Sequence, residues 1–390
     1  MTSLAIALPD ETGRLVTYEP AARPIAAPTG PHRFNRTAFA AVHVVADPLT
    51  AREPSLGPAI DWEATLAFRR HVLDLGLGVA EAMDTAQRGM GLDWPAAREL
   101  IERSLTAAAP AERNRIVCGV GTDHLDPEEV RSLDDIVAAY LEQLAAVQKA
   151  GGRVVLMASR ALARIATSPA DYETVYHRVL AEADAPVILH WLGEMFDPAL
   201  AGYWGANDFP PALETALTVI HANAARIDGI KLSLLDDGKE IEMRRRLPGG
   251  VRMYTGDDFN YPALIEGDDQ GHSDALLGIF DPIAPAASAA LSALAEGDSA
   301  TYHRLLEPTV PLSRLIFRPP TRHYKTGVVF LAYLNGFQDH FVMVSGAQAM
   351  RPLPYFTELF RKADSAGLLR DPESAVARMR SLLRLYGIEG

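Results

Sequence analysis

Apolar residues along this chain recur in two rhythms. Short runs rich in Val, Ile, Leu and Ala alternate with longer segments whose apolar positions return every three or four residues. The runs predict strands at Ala38–Val45, Gly78–Ala82, Arg115–Val120, Arg153–Ala158, Pro186–Trp191, Gly229–Ser233, Val251–Thr255 and Gly271–Leu277. The segments between them predict helices at Asp61–Leu75, Trp94–Leu105, Leu133–Ala150, Ala170–Ala183, Pro211–Ala225, Lys239–Arg246, Tyr261–Glu266 and Ala284–Ala295. Their ends carry cap residues: Ser132 precedes one helix, Gly151-Gly152 follows it, and Pro95 opens another.

Residues 1–35 follow neither rhythm. Pro20, Pro24, Pro28 and Pro31 mark an irregular arm, with a short hairpin around Glu11–Gly13. After about residue 298 no strand pattern returns, and helices are predicted at Ala300–Leu306, Tyr324–Asn335, Leu353–Ala366 and Pro372–Tyr386. Eight strands, each followed by a helix, predict an α/β fold of the (β/α)8 TIM-barrel type. A doubly wound sheet more often uses fewer strands and a glycine-rich first turn. The expected organisation is an N-terminal arm at 1–35, a barrel catalytic domain at 36–298, and a helical extension at 299–390 packed on the barrel.

Composition narrows the function. The formal net charge of −13 repels phosphate backbones and anionic membranes, so neither nucleic acid nor membrane is an expected partner. The single cysteine, Cys118, allows neither an internal disulfide nor a cysteine-built metal site. The first residues lack a basic segment ahead of an apolar one, and no run is long enough for a membrane helix; the expected compartment is cytoplasmic. Glycine-rich nucleotide loops, H-E-x-x-H and G-x-S-x-G are absent, which removes the usual support for dinucleotide, ATP, zincin and α/β-hydrolase chemistry. Only five of the 37 basic residues are lysines, so a lysine inside an apolar strand stands out.

In a barrel, reactive groups sit at the C-terminal ends of strands and in the loops that follow. The second strand then offers Glu81, Asp84 and Thr85, and the third Thr122, Asp123 and His124. The fourth offers Ser159 and Arg160, the fifth His190, and the sixth Lys231 and Ser233. The seventh ends on Asp257 and Asp258, and the eighth carries His272, Ser273 and Asp274. Lys231 is the sharpest of these, because Ile227–Leu235 is apolar on both sides of it. Burial lowers a lysine pKa, and a neutral amine attacks carbonyl carbon to give a Schiff base. The same lysine could instead stabilise an enolate as a cation, or pair with Glu81 or Asp257 to hold the barrel. His190, one strand earlier, reads as a proton shuttle, a metal ligand or a core histidine. Asp257-Asp258 could hold a cation or sugar hydroxyls, or serve a Gly/Asp turn. Glu81, His190, Asp257 and His272 would form an oxygen/nitrogen ligand set for a divalent metal if they converged. The run Arg244–Arg246 reads as a solvated helix face.

Three motifs carry a family resemblance. Asp228-Gly-Ile-Lys231-Leu-Ser233, Thr255-Gly-Asp-Asp258, and the long helix, Gly-Gly and apolar strand of Leu133–Ala158 resemble the dihydrodipicolinate synthase / N-acetylneuraminate lyase superfamily of class I aldolases. The chain looks like a divergent branch of it. The resemblance spans about Ala38–Leu369 and implies a barrel whose strand-six lysine, here Lys231, forms the Schiff base. It also implies a homo-oligomer.

Two departures qualify it. The family's second strand ends in a G-T-T-G-E-type loop that holds a pyruvate-like carboxylate, where this chain has Gly78-Val-Ala-Glu-Ala-Met-Asp-Thr85. The family's strand-five tyrosine is replaced by His190. These changes speak against 2-keto acids and for a neutral, hydroxyl-rich small molecule such as a sugar or keto-sugar. The expected activity is a lyase of the aldolase or dehydratase type, with no cofactor. Lys231, His190 and Glu81 would be catalytic, with Asp84, Thr85, Ser233, Asp257, Asp258 and His272 binding substrate. The alternative is a metal-dependent lyase, isomerase or hydrolase using the four ligands above, and a non-catalytic binding barrel is a third reading.

Overall fold

The computed structural model describes residues 4–10, 12–30 and 32–389. Strands β1 (Ile6–Pro9) and β2 (Leu15–Tyr18) pair antiparallel as the hairpin expected in the arm. Asp10 builds its turn by accepting from the backbone N–H of Thr12 and of Arg14, while Gly13 adopts φ +82. Glu11, named with that turn, lies outside the described residues.

Eight further strands follow: β3 (Ala38–Ala41), β4 (Gly78–Glu81), β5 (Ile116–Val120), β6 (Arg153–Leu156), β7 (Val187–Leu192), β8 (Ile227–Ser233), β9 (Arg252–Thr255) and β10 (Asp274–Leu277). Each is parallel to its neighbours, and β10 pairs with β3 to close the (β/α)8 barrel. In chain order the helices of the repeat are α1 (Trp62–Asp74), α2 (Trp94–Ala107), α3 (Leu133–Lys149), α4 (Arg160–Ile165), α5 (Pro169–Ala181), α6 (Phe209–Ala222), α7 (Asp237–Arg246), α8 (Tyr261–Glu266) and α9 (Ala284–Ala295). The C-terminal extension is helical: α10 (Ser299–Leu306), α11 (Val310–Ile316), α12 (Tyr324–Leu334), α13 (Leu353–Ser365) and α14 (Pro372–Leu385). The short helices α4 and α11 have no counterpart in the apolar pattern.

Two compact units result. Residues 36–42 and Gly78–Gly278 hold the whole barrel, and residues 4–35, His43–Leu77 and 279–389 form the other. In the second unit every residue of α12 is buried, as an all-round apolar helix requires. No described helix is long and apolar enough to cross a membrane.

The barrel interior follows the two-residue period of its strands. Phe39, Ala41, Ala80, Val117, Val155, Ile188, Tyr254 and Leu276 fill it with Met83 and Met157. Its N-terminal end is closed by polar side chains. The Tyr254 hydroxyl donates to Asp228 at 2.6 Å, Arg153 pairs with Asp228 at 3.5 Å, and Asp274 accepts from the Thr37 N–H at 2.7 Å. Such groups at the lower face serve stability, and chemistry is left to the opposite end.

Candidate active site

Lys231 projects inward from β8, level with His190 on β7 and Tyr254 on β9. Gly256 makes room for its stem: a Cβ there would stand 2.9 Å from Lys231 Cε and 2.2 Å from Ser233 Oγ. Lys231 is 7 % exposed, and its side chain makes no hydrogen bond or ion pair with another described residue. Burial lowers its pKa, against the opposing charges of Asp258 and Asp84. The other buried lysine, Lys325, is different in kind, because its Nζ donates to the Arg322 carbonyl at 3.3 Å. An amine held without a partner at the end of a barrel strand is suited to nucleophilic attack.

His190 is 1 % exposed, and its Nε2 lies 3.2 Å from Ser233 Oγ. Burial, reinforced by the Lys231 charge, drives its pKa well below 6.5. At neutral pH the ring is therefore uncharged and able to accept a proton.

Beside these groups a cleft opens, walled by Asp84, Arg88, Thr122, Asp123, Arg160, His190 and Asp197; of Lys231, His190 and Ser233, His190 is the one that lines it. Its wall at β4 is set by Ala82, which takes φ +52 and redirects the chain so that Asp84 reaches the cleft. Arg88 grips Asp123 through Nε and Nη2 at 2.8 and 2.6 Å, and bonds Gln143 and the carbonyls of Ala82 and Gly119. That cation holds the Asp123 carboxyl below its ordinary pKa, overcoming the opposing effect of burial.

The structure thus brings together Lys231, His190, Ser233 and Asp258, with Asp84 at the cleft. It separates the others. Glu81 is the last residue of β4 but sits on its outer face, where Oε2 accepts from Ser104 of α2 at 2.6 Å and Oε1 from the Ala82 N–H. The strand period turns it away from the interior, so the expected catalytic role at the cleft is corrected. Asp257 is engaged in its own turn, accepting from the N–H groups of Phe259 and Asn260 and from the Asn260 side chain. The turn reading of that residue holds, and its neighbour Asp258 is the one whose charge acts on Lys231. Thr85 is buried in the turn after β4 and does not line the cleft.

His272 is displaced more drastically. It precedes β10, which begins at Asp274, so it stands at the N-terminal end of the barrel, opposite the strand ends that carry Ser233. The expected metal set of Glu81, His190, Asp257 and His272 therefore does not converge. Among the described residues no three His, Cys, Asp or Glu side chains are grouped to hold a metal. Arg88 was not singled out by sequence, since nothing in the pattern around it distinguishes a loop arginine from a solvated one.

Solved structures share this architecture. The chain matches dihydrodipicolinate synthase from Thermotoga maritima with a TM-score of 0.64 and 16 % identity, covering 86 % of this chain and 100 % of that one. The enzyme from Acinetobacter baumannii, solved with pyruvate, matches at 0.62 and 18 % identity over 85 % and 99 % of the two chains. That from Aquifex aeolicus matches at 0.60 and 13 % identity over 91 % and 99 %. At these identities the likeness is one of fold, and it agrees with the barrel and helical tail that the sequence resemblance implied. No curated protein matches the chain in sequence. A family model described as "Protein of unknown function (DUF993)" covers residues 6–388, and the chain belongs to that family.

Proposed function

We propose that the chain is an aldolase-type lyase that binds a hydroxylated, carbohydrate-derived carbonyl compound as an iminium on Lys231. The observation that carries this reading is the buried, unpartnered amine with its lowered pKa beside an uncharged His190. The Lys231 nitrogen adds to the carbonyl carbon, and loss of water gives the iminium. His190 then takes the proton of a hydroxyl two carbons away from the iminium carbon. As that O–H electron pair forms a new carbonyl, the C–C bond breaks and its electrons pass to the iminium nitrogen as an enamine. Ser233, bonded to His190 Nε2, orients the ring. Asp84 receives substrate hydroxyls in the cleft.

The test is reduction with cyanoborohydride in the presence of a panel of keto-sugars, followed by peptide mass spectrometry. The expected adduct maps to Lys231 and disappears in Lys231→Ala. Turnover that survives Lys231→Ala, or complete failure to trap any carbonyl compound, would overturn the proposal.

A further inference from the structure

We propose that Arg160 anchors an anionic oxygen group, a carboxylate or a phosphate, at the end of the substrate remote from its carbonyl carbon. This rests on the reading of Lys231 as the carbonyl-binding amine. Two arginines line the cleft, and they are engaged to different degrees. Arg88 is buried, and all three of its nitrogens are bonded to Asp123, Gln143 and two backbone carbonyls. It has nothing left to offer a ligand. Arg160 is held by its edge alone, Nε to Asp197 Oδ2 at 2.5 Å, and its side chain stays 41 % exposed.

The terminal nitrogens Nη1 and Nη2 of Arg160 make no hydrogen bond to any described residue. Asp197 is itself fixed, because its second oxygen accepts from the Ala199 N–H at 3.2 Å. The guanidinium is thereby oriented before any ligand arrives. Gly89 leaves space on that side: a Cβ there would stand 3.0 Å from Nη2 and 3.4 Å from Nη1, and its φ of +71 suits glycine. The outer edge of a guanidinium presents two parallel N–H donors that match two oxygens of an anion.

Placement separates this anchor from the reacting carbon. Arg160 follows β6 and Lys231 lies on β8, with β7 between them. Strands spaced about 4.8 Å apart set the β6 and β8 backbones on the order of 10 Å from each other, and Arg160 stands beyond the end of β6, at the start of α4. An anchor so placed suits an anionic group several bonds away from the carbonyl carbon. The Asp84 carboxylate, without a hydrogen-bond partner among the described residues, lines the same cleft and accepts hydroxyl donors. The ligand assembled from these groups is a hydroxylated carbonyl compound with a remote acid or phosphate, where the sequence had suggested a neutral one.

Cyanoborohydride trapping of three probes tests this: fructose, 5-ketogluconate and fructose 6-phosphate. At least one anionic probe is expected to trap at least tenfold faster than fructose, and which one does so names the group. In Arg160→Gln that ratio falls to near one. A ratio near one in the wild type, or a preference that persists in Arg160→Gln, overturns the inference and leaves the Schiff base standing. Calorimetric titration with malonate and with inorganic phosphate is independent of the Schiff base. If no probe traps, the proposed function fails, and the anchor is judged by whether Arg160→Gln weakens that binding at least tenfold. Absent or unchanged binding overturns it.

Discussion

Glu240, on α7, is buried against the outer face of β9, and its titration supplies a quantitative test of that burial. Its Oε1 accepts from Ser273 Oγ at 2.7 Å, while Oε2 is buried without a hydrogen-bond partner. Burial pushes its pKa from 4.5 to about 8; the hydrogen bond from Ser273 opposes the rise, and the Asp257 charge adds to it. Between those two pH values the folded chain keeps a proton that the unfolded chain has released. The stabilisation is thus full below about pH 4.5 and is lost as pH rises to about 8. At about 1.4 kcal/mol per pH unit the loss is about 5 kcal/mol. Glu240→Gln keeps the shape and cannot ionise, so its stability lacks this component. Urea unfolding of both proteins at pH 5.0, 6.5 and 8.5 should show the wild type losing several kcal/mol more than the variant, on the order of 4, over that range. Parallel stability curves, agreeing within about 1 kcal/mol, would show the carboxylate to be ionised and compensated, and the reasoning would fail.

Other expectations follow from the site. Asp258→Asn removes a charge that raises the Lys231 pKa, so the pH–rate profile of trapping moves toward acid; a move toward alkali contradicts the assignment. Glu81→Gln perturbs a buried bond to Ser104 outside the cleft, costing about 1–3 kcal/mol in urea unfolding while trapping at Lys231 persists. Gly256→Ala forces a Cβ to within 2.7 Å of the Leu232 carbonyl, and slower trapping should accompany about 1–3 kcal/mol of destabilisation.

Most of the barrel was legible because parallel strands buried on both faces read as unbroken apolar runs. That same continuity conceals which way each side chain points. Glu81 and His190 both close apolar runs, yet β4 turns the first outward and β7 turns the second inward. Gly271 to Ser273 read as the start of a strand, whereas Asp268 and Gly271 bridge to each other in a turn and pairing with β9 begins at Asp274. Lys231 was legible because a lysine in such a run has few bland explanations. The pairing of Arg160, the first residue of α4, with Asp197 joins segments from different repeats and leaves no mark in either segment alone.

Each arginine of the cleft arrives with its own aspartate, Arg88 with Asp123 and Arg160 with Asp197. The cleft wall therefore adds no positive field at a distance, on a chain whose formal net charge is −13. An anionic substrate meets repulsion until it is within hydrogen-bond reach of Arg160. Added salt, by screening that repulsion, should quicken capture of such a substrate, the reverse of the slowing seen where a protein steers its ligand by opposite charge.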